Sequence, residues 1–263
     1  MLSELLPEAI EIVSKQDALV RLNAERYLLV GDLHGYPDVL DYVDRELEDE
    51  KMHVVFLGDY VDRGPKQVET LERLIELLTA YPDRVVMLRG NHEDEYVNRM
   101  YGFYEVAMMK LGEKIYEKIK EFYSLLPIAA DLNAKVFAVH GGIPVKDPKP
   151  SEALEKIKKT VSTLDRPARE FLRNDPNDNV EDYVPSIRGE DIYEFGRRPF
   201  EEFMKKYGYS IVIRAHQIFY NGYQRHFKGK MLTIVSFPPQ TRIAEVYFYQ
   251  GEPIVRVAKP IIY

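Results

Sequence analysis

Five times along the chain, a short apolar run of the kind that forms a buried strand is followed at once by residues able to bind a metal ion or a phosphate. Tyr27-Leu28-Leu29-Val30 leads into Gly31-Asp32-Leu33-His34-Gly35, Val54-Val55-Phe56-Leu57 into Gly58-Asp59, and Val85-Val86-Met87-Leu88 into Arg89-Gly90-Asn91-His92. Downstream, Val136-Phe137-Ala138-Val139 leads into His140-Gly141-Gly142, and Ile211-Val212-Ile213 into Arg214-Ala215-His216. Between the first two runs, Pro37 is placed to start a helix, and Val39, Leu40, Val43 and Leu47 repeat at helical spacing. Between the second and third, Pro65 precedes Leu71, Leu74, Ile75 and Leu78 in the same way. The pattern predicts an α/β fold containing a βαβαβ unit with a parallel sheet. In such sheets ligands collect beyond the carboxyl ends of the strands, where all five polar clusters then fall.

The rest of the chain is read more coarsely. Met1 to Gln16 has the spacing of a short amphipathic helix, and Glu95 to Phe122 reads as helical. Pro144 to Pro150 and Asn174 to Gly189 read as loops. Met231 to Val235 and Ile243 to Phe248 suggest antiparallel strands of a second sheet. With 45% hydrophobic residues over 263 positions, the chain can bury a large core, and residues 1–263 are expected to form a single catalytic domain.

Composition removes whole classes of function. The chain has no cysteine, which excludes thiol nucleophiles, disulfides and zinc-thiolate clusters. A formal net charge of −7 gives no reason to expect a nucleic-acid binder. The acidic start lacks the basic-then-apolar order of a secretion signal, and no apolar stretch approaches the roughly 18 residues of a membrane span. The sequence therefore predicts a cytoplasmic protein that works without membrane or nucleic acid.

Asp32 and His34 are two residues apart, so at an extended strand exit they point the same way and can hold one cation. Asp59, leaving the neighbouring strand, can bridge to a second cation completed by Asn91, His140 and His216. Oxygen and nitrogen ligands of this kind suit manganese, iron or zinc better than calcium. Two such cations activate a bridging hydroxide for direct in-line attack at phosphorus. His92 then becomes the candidate general acid for the leaving alkoxide, with Asp62 orienting it. Arg63 and Arg188 are the candidates for gripping the phosphate oxygens, and Arg89 for adding positive potential nearby.

Taken singly, a Gly-Asp pair is usually a turn and a histidine after a strand usually structural, and that structural reading is kept for His53 and His226. Five clusters at corresponding strand ends are harder to explain that way. Asp175-Pro176-Asn177-Asp178-Asn179 begins like a calcium loop, but Val180 and Ser186 stand where glycine and glutamate are needed. The sequence has no P-loop and no Asp-x-Asp for an aspartyl-phosphate mechanism.

Gly31-Asp32-Leu33-His34-Gly35, Gly58-Asp59-Tyr60-Val61-Asp62-Arg63-Gly64 and Arg89-Gly90-Asn91-His92-Glu93 resemble the three signatures of the phosphoprotein phosphatase family, which contains protein phosphatases 1 and 2A within the metallophosphoesterases. Asn98 to Tyr104, Leu126 to Ala130, Arg188-Gly189 and Arg214-Ala215-His216-Gln217 extend the resemblance, which spans roughly Leu29 to Phe237. It implies a two-sheet β-sandwich flanked by helices, the ligand roles given above, Asp175 near the site, and Val97 and Tyr101 beside the substrate groove. Ser236-Phe237-Pro238-Pro239-Gln240 departs from the Ser-Ala-Pro-Asn-Tyr loop of the animal enzymes, so one wall of the groove is expected to differ.

The expected activity is therefore that of a metal-dependent serine/threonine protein phosphatase acting on phosphorylated proteins, with activity on phosphotyrosine within reach of an open metal site. A dinucleoside polyphosphate hydrolase or phosphodiesterase of the same superfamily is the alternative. A non-catalytic phosphate-binding module is a third, which the presence of His92, Asp62 and Arg63 speaks against.

Overall fold

A computed structural model describes residues 2–261. Helix α1 (Leu2–Ser14) is followed by strands β1 (Leu19–Leu22) and β2 (Arg26–Val30). Then come α2 (Leu40–Glu46), β3 (Met52–Phe56), α3 (Gln67–Ala80) and β4 (Val85–Met87). A helical stretch holds α4 (Glu95–Tyr101), α5 (Phe103–Lys110) and α6 (Glu113–Leu125), before β5 (Ala129–Leu132) and β6 (Val136–Val139). After α7 (Ala153–Lys156) and α8 (Ala168–Arg173) come the short strands β7 (Asp175–Pro176), β8 (Tyr183–Pro185) and β9 (Tyr193–Phe195). The chain closes with α9 (Arg197–Tyr207), β10 (Ile211–Arg214), β11 (Tyr223–His226), β12 (Met231–Ile234), β13 (Ile243–Tyr249) and β14 (Glu252–Ala258).

The strands form two large sheets, ordered β14-β13-β2-β3-β4 and β1-β5-β6-β10-β12-β11, plus a small sheet β7-β9-β8. β2, β3 and β4 are parallel, with α2 and α3 as crossovers, which is the βαβαβ unit the sequence predicts. Alternation along β2 shows how the sheets pack. Tyr27 and Leu29 face the interior shared with Ala138, Ile213 and Leu232 of the other sheet. Leu28 and Val30 face the opposite way, onto a cluster containing residues of α1, α2, α3 and α6. The outer face of the six-stranded sheet is covered by α8 and α9 through Phe171, Leu172, Phe200 and Phe203. The result is a two-sheet sandwich flanked by helices.

The stretch from Glu95 is helical as expected, in three pieces: Gly102, with a φ of 101°, ends α4 and opens α5, and Gly112, with a φ of 79°, opens α6. Two local expectations change. Residues 174–189, read as loop, contain β7 and β8. The carboxyl-terminal strands do not make one antiparallel second sheet. β12 runs parallel to β10 in the six-stranded sheet, whereas β13 pairs antiparallel with β2 and so joins the βαβαβ sheet. Alternating apolar residues identify a strand but carry no information about its partner. No described helix is long and apolar enough to cross a membrane.

Candidate metal centre

The register of the sheets explains why the five polar clusters meet. Val30 pairs with Phe56 and Phe56 with Met87, so β2, β3 and β4 end level and release Asp32, Asp59 and Asn91 at one edge. On the facing sheet Ala138 pairs with Ile213, and the Ala215 amide donates to the His140 carbonyl at 3.0 Å, so His140 and His216 emerge level too. The two edges are joined where Asp32 bridges to Val235 and its Oδ1 accepts from the His216 amide at 3.0 Å.

Tight backbone is needed to turn these side chains inward. His34, Asp59, Asp62, Arg63 and His216 all have positive φ, from 46° to 71°, a conformation that disfavours side chains and collects at functional sites. Hydrogen bonds hold them there. The Leu33 and His34 amides donate to the Asp59 carbonyl at 3.0 and 2.9 Å. The buried Glu93 carboxylate accepts from the amides of Asp59 (2.8 Å), Tyr60 (3.0 Å) and Gly90 (2.8 Å), tying two strand exits together. Gly90 is required by close approach, since a Cβ there would stand 2.3 Å from Asp59 Oδ1.

Among the described residues, two groups of donor atoms can hold a metal ion: His34, Asp59 and His92, and Asp59, His140 and His216, with all atoms within 4.8 Å inside each group. Asp59 belongs to both. The chemistry of the second group fits a cation. His140 Nδ1 lies 2.8 Å from the Leu57 carbonyl, which only accepts, so in the neutral ring this nitrogen carries the proton and Nε2 is the lone pair open to a cation. That Nε2 faces Asn91 Oδ1 at 3.1 Å, His216 Nδ1 at 3.1 Å and Asp59 Oδ2 at 3.4 Å. His34 repeats the device, with Nδ1 2.9 Å from the Val61 carbonyl and Nε2 3.7 Å from Asp59 Oδ2 and 4.0 Å from Asp32 Oδ2.

The electrostatics show how crowded the site is. Burial and then Asp59 push the Asp32 carboxyl up to about 6, and the same two causes push Glu93 to about 7. Burial holds the His34 ring down to about 3 despite Asp59, and burial and His140 hold His216 well below its usual value. His140 moves the other way: burial opposes protonation, but Asp59 overrides it. A proton on His140 thus partly does for Asp59 what a divalent ion would do for the whole cluster.

His92 is placed differently from the other donors. Its Nδ1 lies 2.7 Å from Asp62 Oδ2, its Nε2 is 3.9 Å from Asp59 Oδ2 and 3.4 Å from Arg63 Nη2, and its ring packs 4.9 Å from Tyr101. Asp62 is fully buried, and its oxygens also accept from Asn98 Nδ2 at 3.0 Å and from the Phe103 amide at 2.9 Å. Asn98 is a contributor to which sequence reasoning gave no role, although its place in the Asn98 to Tyr104 match was visible.

Arg63, Arg188, Asn91, His92 and His216 open onto a cavity of about 520 Å³, which Val97 and Tyr101 also line. Arg188 Nε donates to Asp175 Oδ2 at 2.5 Å, and Asp175 Oδ1 accepts from the buried Arg214 at 2.9 Å. Arg89 is a correction: it lines a separate cavity of about 460 Å³ and donates to the carbonyls of Glu93 and Val161 at 2.9 Å and of Thr160. Its charge braces a loop instead of facing the phosphate. Arg169 and Arg173 line the main cavity and were missed, having no motif around them. Phe237 packs edge-on to His34 at 5.5 Å, so the divergent loop covers one side of the first donor pair. His226 lies apart, bonded to Asp178 at 2.8 Å, which engages a carboxylate of the rejected calcium loop.

The sequence profile described as calcineurin-like phosphoesterase matches residues 25–220. The chain belongs to that family. Calcineurin-like phosphoesterases are metallophosphoesterase hydrolases that use divalent metals, and this assigns a hydrolytic, metal-binding function to the cluster. Among solved structures, a protein serine/threonine phosphatase from Saccharomyces cerevisiae with similarity to human phosphatase PP5 is similar over 100% of this chain and 90% of its own, at TM-score 0.87 and 24% identity. A cold-active protein-tyrosine phosphatase of a psychrophilic Shewanella species is similar over 93% of this chain and 84% of its own, at TM-score 0.63 and 16% identity. A putative diadenosine tetraphosphatase is similar over 92% and 99%, at 0.53 and 16%. At these identities the likenesses speak for the calcineurin-like fold.

Proposed function

We propose that this calcineurin-like phosphoesterase is a serine/threonine protein phosphatase, formed as one catalytic unit over residues 1–263. The observation that carries the reading is the His92 Nδ1 to Asp62 contact of 2.7 Å, which leaves Nε2 facing the phosphate cavity. A phosphomonoester of serine or threonine leaves as a poor alkoxide and needs a proton donor at that position. Two divalent cations, manganese in our reading with iron or zinc as alternatives, would be held by Asp32, His34, Asp59, Asn91, His140 and His216 and would supply the nucleophile and the charge neutralisation at phosphorus.

The residues do the rest. His92 Nε2 gives its proton to the leaving oxygen, and Asp62 fixes the ring and stabilises its charged form. Arg63, whose guanidinium rests 5.3 Å from the Tyr101 ring centre, and Arg188, held by Asp175, grip the non-bridging oxygens and favour the more highly charged transition state. Tyr96, Met100 and Tyr101 expose large apolar surface at the cavity mouth, which suits the flanks of a phosphorylated peptide. The same open, aromatic mouth extends the reading to phosphotyrosine.

The test is a panel of a phosphoserine peptide, a phosphotyrosine peptide, a dinucleoside tetraphosphate and a bis-aryl phosphodiester, run with metal stripped and then restored. The reading requires metal-dependent turnover with the phosphoserine peptide preferred over the last two. Preference for the dinucleotide or the diester overturns it in favour of the alternative within the superfamily.

A further inference from the structure

Among the described residues, two arginines of the cavity have no carboxylate within 4.0 Å: Arg63, which borders His92, and Arg173, at the end of α8. Arg188 is tied to Asp175, and Arg169 to Asp191. Arg173 makes one hydrogen bond, from Nη2 to Thr163 Oγ1 at 3.0 Å, and its buried Nε has no partner. The buried arginines elsewhere are satisfied. Arg89 donates to carbonyls of three residues, and Arg214 to Asp175, Gln217 and two carbonyls. A half-buried guanidinium fork whose donors are left largely unused, beside a cavity that must receive an anion, is arranged for a charged group that arrives with the ligand.

Anchoring and cavity size leave room for a charged group besides the scissile phosphate. Arg63 borders His92 directly, whereas Arg173 is anchored through Thr163, whose amide and hydroxyl both donate to Asp94 Oδ2, at 2.9 and 3.2 Å. The cavity of about 520 Å³ is the size of a drug-like ligand and is larger than one phosphate requires. We infer that Arg173 forms a second anion subsite, which takes a phosphate or carboxylate carried by a residue flanking the phosphorylated one. The inference rests on the protein-phosphatase reading for the identity of the ligand. The subsite makes multiply phosphorylated or acidic segments the preferred substrate class.

The experiment compares three phosphoserine peptides that differ at one flanking position, holding alanine, glutamate or a second phosphoserine, with an aryl phosphate as a small reference substrate. The wild-type protein should prefer either charged flank over alanine by about tenfold in kcat/KM, and Arg173→Gln should bring that ratio close to one. Arg173→Lys, which keeps charge but loses the fork, should give an intermediate ratio and guards against a folding defect in the glutamine variant. The second phosphoserine exceeding glutamate would assign the subsite to phosphate, and equality to any anion. Absence of a charge preference in the wild type, or a ratio unchanged in Arg173→Gln, overturns the inference. If the aryl phosphate is hydrolysed and no peptide is, the protein-phosphatase reading fails. The peptides' inhibition constants against the aryl phosphate then read the subsite by the same ratio.

Discussion

Replacing Asp62 by asparagine separates orientation of His92 from metal binding, because Asp62 is fully buried and bonded to three donors. An amide has one accepting oxygen. If that oxygen keeps the contacts of Oδ2 with His92 Nδ1 and Asn98 Nδ2, the amide NH2 is turned on the Phe103 N–H, and two donors face each other. A buried donor left unpaired costs about 1–3 kcal/mol, which for a chain of this size lowers Tm by about 2–12 °C. The catalytic effect is larger. General acid catalysis contributes about 100-fold to 10,000-fold, and the neutral amide removes the charge that supports a protonated ring. With a phosphoserine peptide we expect kcat to fall by about 100-fold, or about 2.7 kcal/mol of transition-state stabilisation. With p-nitrophenyl phosphate, whose leaving group needs little protonation, the fall should be no more than about fivefold. The assay is kcat for both substrates on metal-loaded Asp62→Asn, with the metal content measured alongside. Equal losses on the two substrates at full metal occupancy would refute the assignment of proton donation to the His92–Asp62 pair.

The Asp32 carboxyl sits at about 6 in the metal-free protein, so below that pH a cation must displace its proton. Manganese affinity measured calorimetrically should fall by at least about fivefold between pH 6 and 5, with the raised His140 adding to the loss, and constant affinity down to pH 5 would contradict the crowding described for Asp32 and Asp59. Gly90→Ala places a Cβ 2.3 Å from Asp59 Oδ1, and overpacking of this kind costs about 1–3 kcal/mol. Thermal melting and metal analysis should show both lower stability and less than half the wild-type metal, and wild-type occupancy would show that Asp59 has room to move. Asp175→Ala strips the buried Arg214 and the half-exposed Arg188 of their shared carboxylate, a loss of about 3–5 kcal/mol in chemical denaturation with a raised KM. A change below about 1 kcal/mol would refute the bracing role.

The strand ends were legible because each carries its own local signal: an apolar run, then glycine next to a potential ligand. Asp32, His34, Asp59, Asn91, His140 and His216 needed only that signal and the parallel topology to be assigned to one place. What the pattern could not say is that the edge is shared by two sheets, three clusters leaving one and two leaving the other. Pairing of β12 with β10 and of β13 with β2 is decided by tertiary packing, which alternation does not encode. The same limit explains the arginines. Arg89 follows a strand just as the ligands do, yet its side chain turns to the carbonyls of residues 160 and 161. Arg173 reaches the cavity from a short helix whose sequence has no metal or phosphate motif. Asp62 and His92, 30 residues apart in sequence, were paired by resemblance and by chemistry, and they lie 2.7 Å apart in the structure.

The central claim is a pair of cations sharing Asp59, and counting bound metal in single-ligand variants tests it most directly. Purified protein loaded with manganese, freed of excess metal by gel filtration and analysed by elemental mass spectrometry should carry two equivalents per chain. His34→Ala and His216→Ala should each retain about one equivalent, and Asp59→Ala close to none. Two equivalents retained in Asp59→Ala, or a single equivalent in the wild-type protein, would contradict the shared-carboxylate centre.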